Sequence, residues 1–271
     1  MKFGIIGGTG FYEPGLLENE REFKVKTPYG NTSLKVGRYR GKEVAFLPRH
    51  GEHHLTPPHL INYRANIWAL REIGVTKVIA TAAVGSLQED LKPGEIVLVD
   101  QFLDFTKNRP QTFYEGGEAG VLHVDMTSPY CPSLHEEIYQ VARQMQVRVH
   151  RSGTYVCTEG PRYETPAEIR MFRILGGDVV GMTSVPEVVL AREATLCYAT
   201  LALITNYAAG ISLRPLSHQE VVEAMDKARS LVRELIFTVI EHTKEARPCA
   251  CPQAAQESGS LGKKEKEEER R

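Results

Sequence analysis

KVIATAAVGSL, residues 77–87, decides the fold. It is apolar on both faces and closes on small residues, as a strand does when helices cover both sides of its sheet. Working outward, KFGII at 2–6, VAFL at 44–47, EIVLVD at 95–100 and YATLALIT at 198–205 share this character. Between two of these runs, the segment 59–74 places Leu60, Ile61, Ile67, Trp68 and Leu70 at helical spacing and stops at Gly74, predicting a helix with a C-terminal break. Ser133 with Glu136 and Ser217 with Glu220 follow the Ser-x-x-Glu capping pattern and predict two further helices, the second running to about Thr243. The apolar face of that last helix (Val221, Met225, Ala228, Val232, Leu235, Val239) reads as packing. Strands alternating with helices over this length predict one α/β domain spanning 1–245.

The polar stretch that follows ends in GKKEKEEERR, so 246–271 is expected to be a solvated tail, disordered or partly helical. The chain has 271 residues, 42% of them apolar, and 33 basic against 34 acidic residues, a net charge of -1. No excess positive field favours nucleic acid, so small-molecule chemistry is expected. The N-terminal MKFGIIGGTG lacks the pattern of a signal peptide and no apolar run reaches membrane-spanning length, so a cytoplasmic protein without membrane partners is expected. Of five cysteines, Cys131, Cys197 and Cys157 read as buried free thiols. Cys249 and Cys251 read as exposed free thiols, because the tail lacks the further ligands a thiolate metal site requires.

Five segments carry candidate chemistry. GIIGGTGF, 4–11, runs a strand into a glycine turn where Thr9 adds a hydroxyl; it suits either an anion or a tight structural turn. In LPRHGEHHLTPPH, 47–59, Arg49 and His50 supply donors suited to phosphate oxygens. A metal site built from His50, His53, His54 and His59 is disfavoured by the Pro57-Pro58 loop and the lack of a partnering carboxylate. TAAVGSL, 81–87, allows close backbone approach to a ligand or to a packed helix. In the segment 157–193, Glu159 and Glu164 flank a Gly-Pro loop, Tyr163 offers a flat face, and Met182-Thr183 precede a helix expected near Val185-Pro186, whose free amides favour an anion. LITNYAAG, 203–210, leaves Asn206 at a strand's C-terminal end, where open α/β sheets bind ligands.

Together, GGTGFY, PRHG, NYRANIWAL, PGEIVLVDQFLDFTKNRPQTFY, EGPRYET and GMTSVPEVVLAREA resemble the trimeric nucleoside phosphorylases, which include purine nucleoside and methylthioadenosine phosphorylases. The resemblance runs from residue 2 to about 240 and implies a single-domain fold with a mixed central sheet flanked by helices. It implies phosphate as co-substrate, no metal or organic cofactor, and assembly as a homotrimer or dimer of trimers. Phosphate would be held by Thr9, Arg49, His50, the backbone of Ala83 and Thr183, with Ala82 standing where the methylthioadenosine branch has a threonine. Met182 would pack under the ribose, and His123 would reach a neighbouring subunit's site. Adenine-directed members resemble TDYD where this chain has Asn206-Tyr207-Ala208, and serine where it has Glu164. An asparagine can donate to N7, and a carboxylate can accept the N1 hydrogen of a 6-oxopurine. Tyr163 would stack on the base, and His218 matches a histidine that meets the ribose 5′-hydroxyl. The expectation is phosphorolysis of inosine and guanosine in purine salvage, with Asn206, Glu164 and His50 as the catalytic set. Methylthioadenosine or methylthioinosine phosphorolysis is the alternative. A nucleotide-binding oxidoreductase lacks a convincing acidic ribose partner among Glu18, Glu20 and Glu22; a non-catalytic purine-binding protein is the remaining rival.

Overall fold

The computed structural model describes residues 2–7, 15–51, 55–212 and 218–255, excepting the side chains of His218 and Glu220. The first half of the chain forms β1 (Lys2–Gly7), β2 (Glu18–Thr27), β3 (Gly30–Tyr39), β4 (Lys42–Pro48), α1 (Tyr63–Glu72), β5 (Val75–Ser86), β6 (Ile96–Leu98) and β7 (Gln101–Phe105). The second forms α2 (Pro132–Gln144), β8 (Val149–His150), β9 (Thr154–Thr158), α3 (Pro166–Ile174), β10 (Val179–Gly181), α4 (Ser184–Glu193), β11 (Cys197–Tyr207) and α5 (His218–His242). All eleven strands join one mixed sheet, ordered β2-β3-β4-β1-β5-β10-β9-β7, with β11 on β5 and β6 and β8 beyond it.

Alternation along the central strands sorts their side chains between two layers. Ile6, Val78 and Tyr198 pack with Ile67 and Leu70 of α1 and Val188 and Leu190 of α4. Their neighbours Ile5, Ile79 and Ala199 pack with Leu134 and Ile138 of α2 and Leu235, Ile236 and Val239 of α5. Each fully buried side chain of this size contributes about 1.5–3 kcal/mol. The sheet is therefore held from both sides, as KVIATAAVGSL required.

Helix starts depart from the sequence expectation. α1 begins at Tyr63 because Pro58–Leu60 form a separate 3₁₀ turn and Asn62 caps the helix, its side chain accepting from the Ala65 amide. Leu60 is consequently exposed. The helix stops at Gly74, with φ +84°, as predicted. α2 is capped by Cys131, whose sulfur accepts from the Leu134 amide at 3.4 Å, and not by Ser133, which lies in the first turn. The Ser217 cap of α5 lies outside the described residues.

The C-terminal boundary also moves. Residues through 255 are part of the folded body: Cys251 is 2% and Ala254 5% exposed, around a 3₁₀ turn at Cys251–Gln253. Cys251 joins Cys131 and Cys197 in the α2–α5 layer, and Cys249 packs against it. The expected solvated tail and exposed Cys249-Cys251 pair are thus corrected over 246–255: small apolar side chains fill a gap that only the folded body creates. Residues 256–271 lie outside the described part. No described helix is long and apolar enough to cross a membrane.

Candidate active site

β5 positions the site because it outlasts its neighbour. Residues Lys2–Ile6 of β1 pair with Val75–Ala80, whereas β10 takes over only at Gly85 and Ser86. β11 follows the other side of β5 throughout. Between β1 and β10, residues 81–84 therefore have no described strand on one side, and backbone there is available to a ligand or side chain. Arg49 uses part of this opening, its Nη1 donating to the Thr81 carbonyl at 2.7 Å. Ala82 and Ala83 line the same cavity of about 400 Å³, with Arg49, His50, Thr183, Met182, Tyr163, Glu164, Asn206 and Ala208.

The expected phosphate ligands are arranged in an unforeseen way. Nε and Nη2 of Arg49 each donate to the Glu187 carboxylate at 2.7 Å, and both side chains are almost fully buried. Burial favours a neutral guanidinium, but Glu187 more than reverses this and holds the pKa above the ordinary arginine value. Of five guanidinium N–H groups, one on each terminal nitrogen remains for an anion. Glu187 thus cancels most of the charge of Arg49 while setting its orientation. Tyr198 reinforces the pair by donating to Glu187 at 2.7 Å. His50 Nδ1 lies 2.8 Å from the Thr56 carbonyl. A carbonyl only accepts, so Nδ1 carries the proton and Nε2 is the acceptor of the neutral ring. Thr183 is the N-cap position of α4 but does not cap it with its side chain; its amide donates to Tyr155 Oη at 3.2 Å. Gly181 permits this, since a Cβ there would stand 2.1 Å from that oxygen.

The base-recognition candidates converge on the same cavity. β11 slips register against β5 between Ile204 and Asn206, making Thr205 an extra residue. The Thr205 hydroxyl sits 2.8 Å from Asn206 Oδ1 and 3.2 Å from the Val84 carbonyl, so it anchors the oxygen end of the amide. Asn206 Nδ2 donates to the Tyr207 carbonyl at 2.9 Å and retains a second N–H. Glu164 is 9% exposed and accepts from Thr158 Oγ1 at 2.6 Å. Loss of solvent raises its pKa above the ordinary 4.5, against the opposing pull of that hydrogen bond. Tyr163 and Met182 border the cavity with part of their surface accessible.

Two expectations fall elsewhere, and two lie on residues or side chains that are not described. Tyr207 is not a cavity residue: strand alternation turns it away from Asn206, and its hydroxyl donates to the Glu89 carbonyl at 3.2 Å. His123 is exposed and outside the cavity. Thr9, with His53 and His54, lies outside the described residues, as does the side chain of His218.

Other site residues escaped sequence reading. Val221 and Met225, on a face expected to pack, join Val222 in an apolar wall brought by the start of α5. Arg109, 6% exposed, donates to the carbonyls of Met182 and Val185 at 2.7 Å and of Glu159 at 2.6 Å, tying together the two loops that carry the base and ribose candidates. Neither Arg109 nor Glu187 has a local signal; partners that define them include Glu159, 50 positions from Arg109, and Arg49, 138 positions from Glu187.

The description "Phosphorylase superfamily" matches residues 2–241. A protein of Moorella thermoacetica named "Probable 6-oxopurine nucleoside phosphorylase" is 56% identical over 255 residues, covering 94% of this chain and 98% of its own. The "6-oxopurine nucleoside phosphorylase" of Pyrococcus furiosus is 53% identical, covering 93% and 97%. Among solved structures, methylthioadenosine phosphorylase from Schistosoma mansoni in complex with adenine aligns with a TM-score of 0.85 at 38% identity, covering 89% of this chain and 91% of that one.

Proposed function

The chain belongs to the phosphorylase superfamily, and we propose that it cleaves 6-oxopurine nucleosides with phosphate, releasing hypoxanthine or guanine and ribose 1-phosphate. The observation that carries this choice of base is one cavity holding an anchored amide donor, Asn206, and a buried carboxylate, Glu164. These are complementary to N7 and to the N1 hydrogen of a 6-oxopurine; adenine has no hydrogen at N1. The names of the Moorella and Pyrococcus relatives support the same reading.

Phosphate attacks the anomeric carbon as the bond to the base breaks, through a transition state with positive charge on the ribose. The remaining N–H groups of Arg49, the Thr183 hydroxyl and the backbone at Ala83 orient the phosphate, with Ala82 closing the cavity beside it. His50 Nε2 accepts the proton of hydrogen phosphate, or donates once the ring is protonated. The family resemblance adds Thr9 to this set. Met182 packs on the ribose, Tyr163 on the base, and Ala208 leaves room for the ring. Asn206 stabilises charge developing on the departing base; losing one such donor costs on the order of 10²-fold or more in turnover. Positioning and electrostatics supply the rate, with phosphate as co-substrate and no cofactor at the reacting atoms. The enzyme works in the cytoplasm in purine salvage, as a homotrimer or dimer of trimers in which the exposed His123 reaches the adjoining subunit's site.

A second reading, phosphorolysis of 5′-methylthionucleosides, is favoured by the Val221, Val222 and Met225 wall, which suits a methylthio group, and by likeness to the Schistosoma enzyme. His218 at the start of the same helix favours a 5′-hydroxyl. Inosine, guanosine, adenosine, methylthioinosine and methylthioadenosine incubated with and without phosphate separate these possibilities. The expected result is phosphate-dependent release of hypoxanthine and guanine, with Asn206→Asp shifting preference toward adenine substrates. Release without phosphate sinks phosphorolysis, and exclusive turnover of methylthioadenosine sinks the assignment of the base.

A further inference from the structure

Away from the cavity, the fold assembles four cysteines from three separate parts of the chain. Cys131 caps α2, Cys197 opens β11, and Cys249 and Cys251 belong to the segment after α5. Their sulfur atoms all lie within 4.8 Å of one another, and Cys197 and Cys249 are 3.4 Å apart. None is disulfide-bonded. A tetrahedral zinc tetrathiolate, with Zn–S near 2.3 Å, places its sulfurs about 3.8 Å apart, so this cluster needs only small adjustments to close around one ion.

The surroundings of the sulfurs are those of anions. Arg247 Nε donates to Cys197 at 3.3 Å, Arg192 Nη1 to Cys251 at 3.5 Å, and the Leu134 amide to Cys131 at 3.4 Å. Neutral thiols and disulfides are weak acceptors for such donors; Arg192 also meets the Asp125 carboxylate at 3.9 Å. Four thiolates around a divalent ion carry a net charge of -2, which the two guanidinium groups balance. Three of the four cysteines are buried and Cys249 is half-buried, leaving a route for the metal to enter.

We propose that Cys131, Cys197, Cys249 and Cys251 bind one zinc ion as a closed structural site. Four thiol protons leave as the metal enters, and no oxidation is involved. Four protein sulfurs in a closed set are the ligand pattern of structural zinc, since no position is left open for substrate or water. Cys197 and Asn206 stand at opposite ends of β11, roughly 30 Å apart at strand rise. The ion therefore pins the C-terminal segment to the sheet and to α2 and takes no part in phosphorolysis.

The test is metal analysis of the full chain purified without chelator. One zinc per chain is expected, released by a thiol-specific mercurial, with a cobalt derivative showing the intense visible bands of tetrahedral tetrathiolate coordination. A Cys249→Ser/Cys251→Ser variant should lose the zinc and unfold at lower temperature, while keeping its turnover per folded enzyme at moderate temperature. Metal-free protein with four titratable thiols overturns the proposal. So does a mass lowered by two hydrogens for each disulfide, or iron in place of zinc. The wild-type measurements decide the matter even where a variant fails to fold, and none depends on which nucleoside is cleaved.

Discussion

At the scale of single residues, chemistry was legible wherever a side chain's own functional groups decide it. The roles proposed for Asn206 as a donor and Glu164 as an acceptor came from the family resemblance together with the groups these side chains carry. Neighbours change what such groups do. Arg49 was expected to offer donors to phosphate, yet two of its five N–H groups face Glu187, 138 positions away, and a third the Thr81 carbonyl. Glu164 is similarly altered, because burial raises its pKa. The acid limb of inosine binding should follow from this. A carboxylate accepts the N1 hydrogen, whereas the protonated acid cannot do so with both oxygens, and a raised pKa means protonation begins at higher pH than for a solvated glutamate. KM for inosine is therefore expected to rise on acidification from neutrality, before a surface carboxylate would titrate. In Glu164→Gln that limb should vanish while KM rises roughly 10-fold or more at neutral pH, as expected from losing a hydrogen bond to a charged group. Initial rates across pH for both proteins check this; an identical acid limb in the variant removes Glu164 from base recognition.

At the scale of elements, the strands of the central sheet were readable because burial on both faces leaves a continuous apolar run. Helix starts were less so, because several residues compete to cap them. Cys131 displaced Ser133 at α2 once Pro132 took the first helical position. α3 carries a full capping box at Thr165 and Glu168, a signal present in the sequence but passed over in favour of the adjacent loop. The slip at Thr205 and the opening beside residues 81–84 of β5 left no local mark, since both depend on which strands pair and where the pairing stops. Gly181 joins these levels: β10 must run tightly past Tyr155, whose hydroxyl receives the Thr183 amide. Gly181→Ala forces the buried Tyr155 ring or β10 to move, at a cost of about 1–3 kcal/mol. At about 2–4 °C per kcal/mol for a domain near this size, the midpoint should fall by several degrees and KM for phosphate should rise. Unfolding curves and phosphate titrations check both effects; no change in either shows that the close approach has no role in holding Thr183.

At the scale of the whole molecule, the C-terminal segment shows how composition misleads. The charged end made everything after 245 look solvated, but Cys251 is buried in the layer built from α2, β11 and α5, and Ala254 is buried beside it in the chain. A chain ending at residue 245 should expose that surface and melt several degrees below the full protein, as scanning calorimetry would record; an unchanged midpoint would restore the solvated tail. By itself, the sequence determined the α/β class and the central strands, and the resemblance carried by its motifs supplied the residues proposed to meet phosphate and a 6-oxopurine. The class and the strands follow from hydrophobic periodicity, which is a local property. Only the tertiary structure decided that Glu187 occupies part of Arg49, that α5 walls the cavity, and that four distant cysteines meet. Each of these depends on contacts between residues far apart in the chain, and such contacts exist only once strand pairing and layer packing have brought them together.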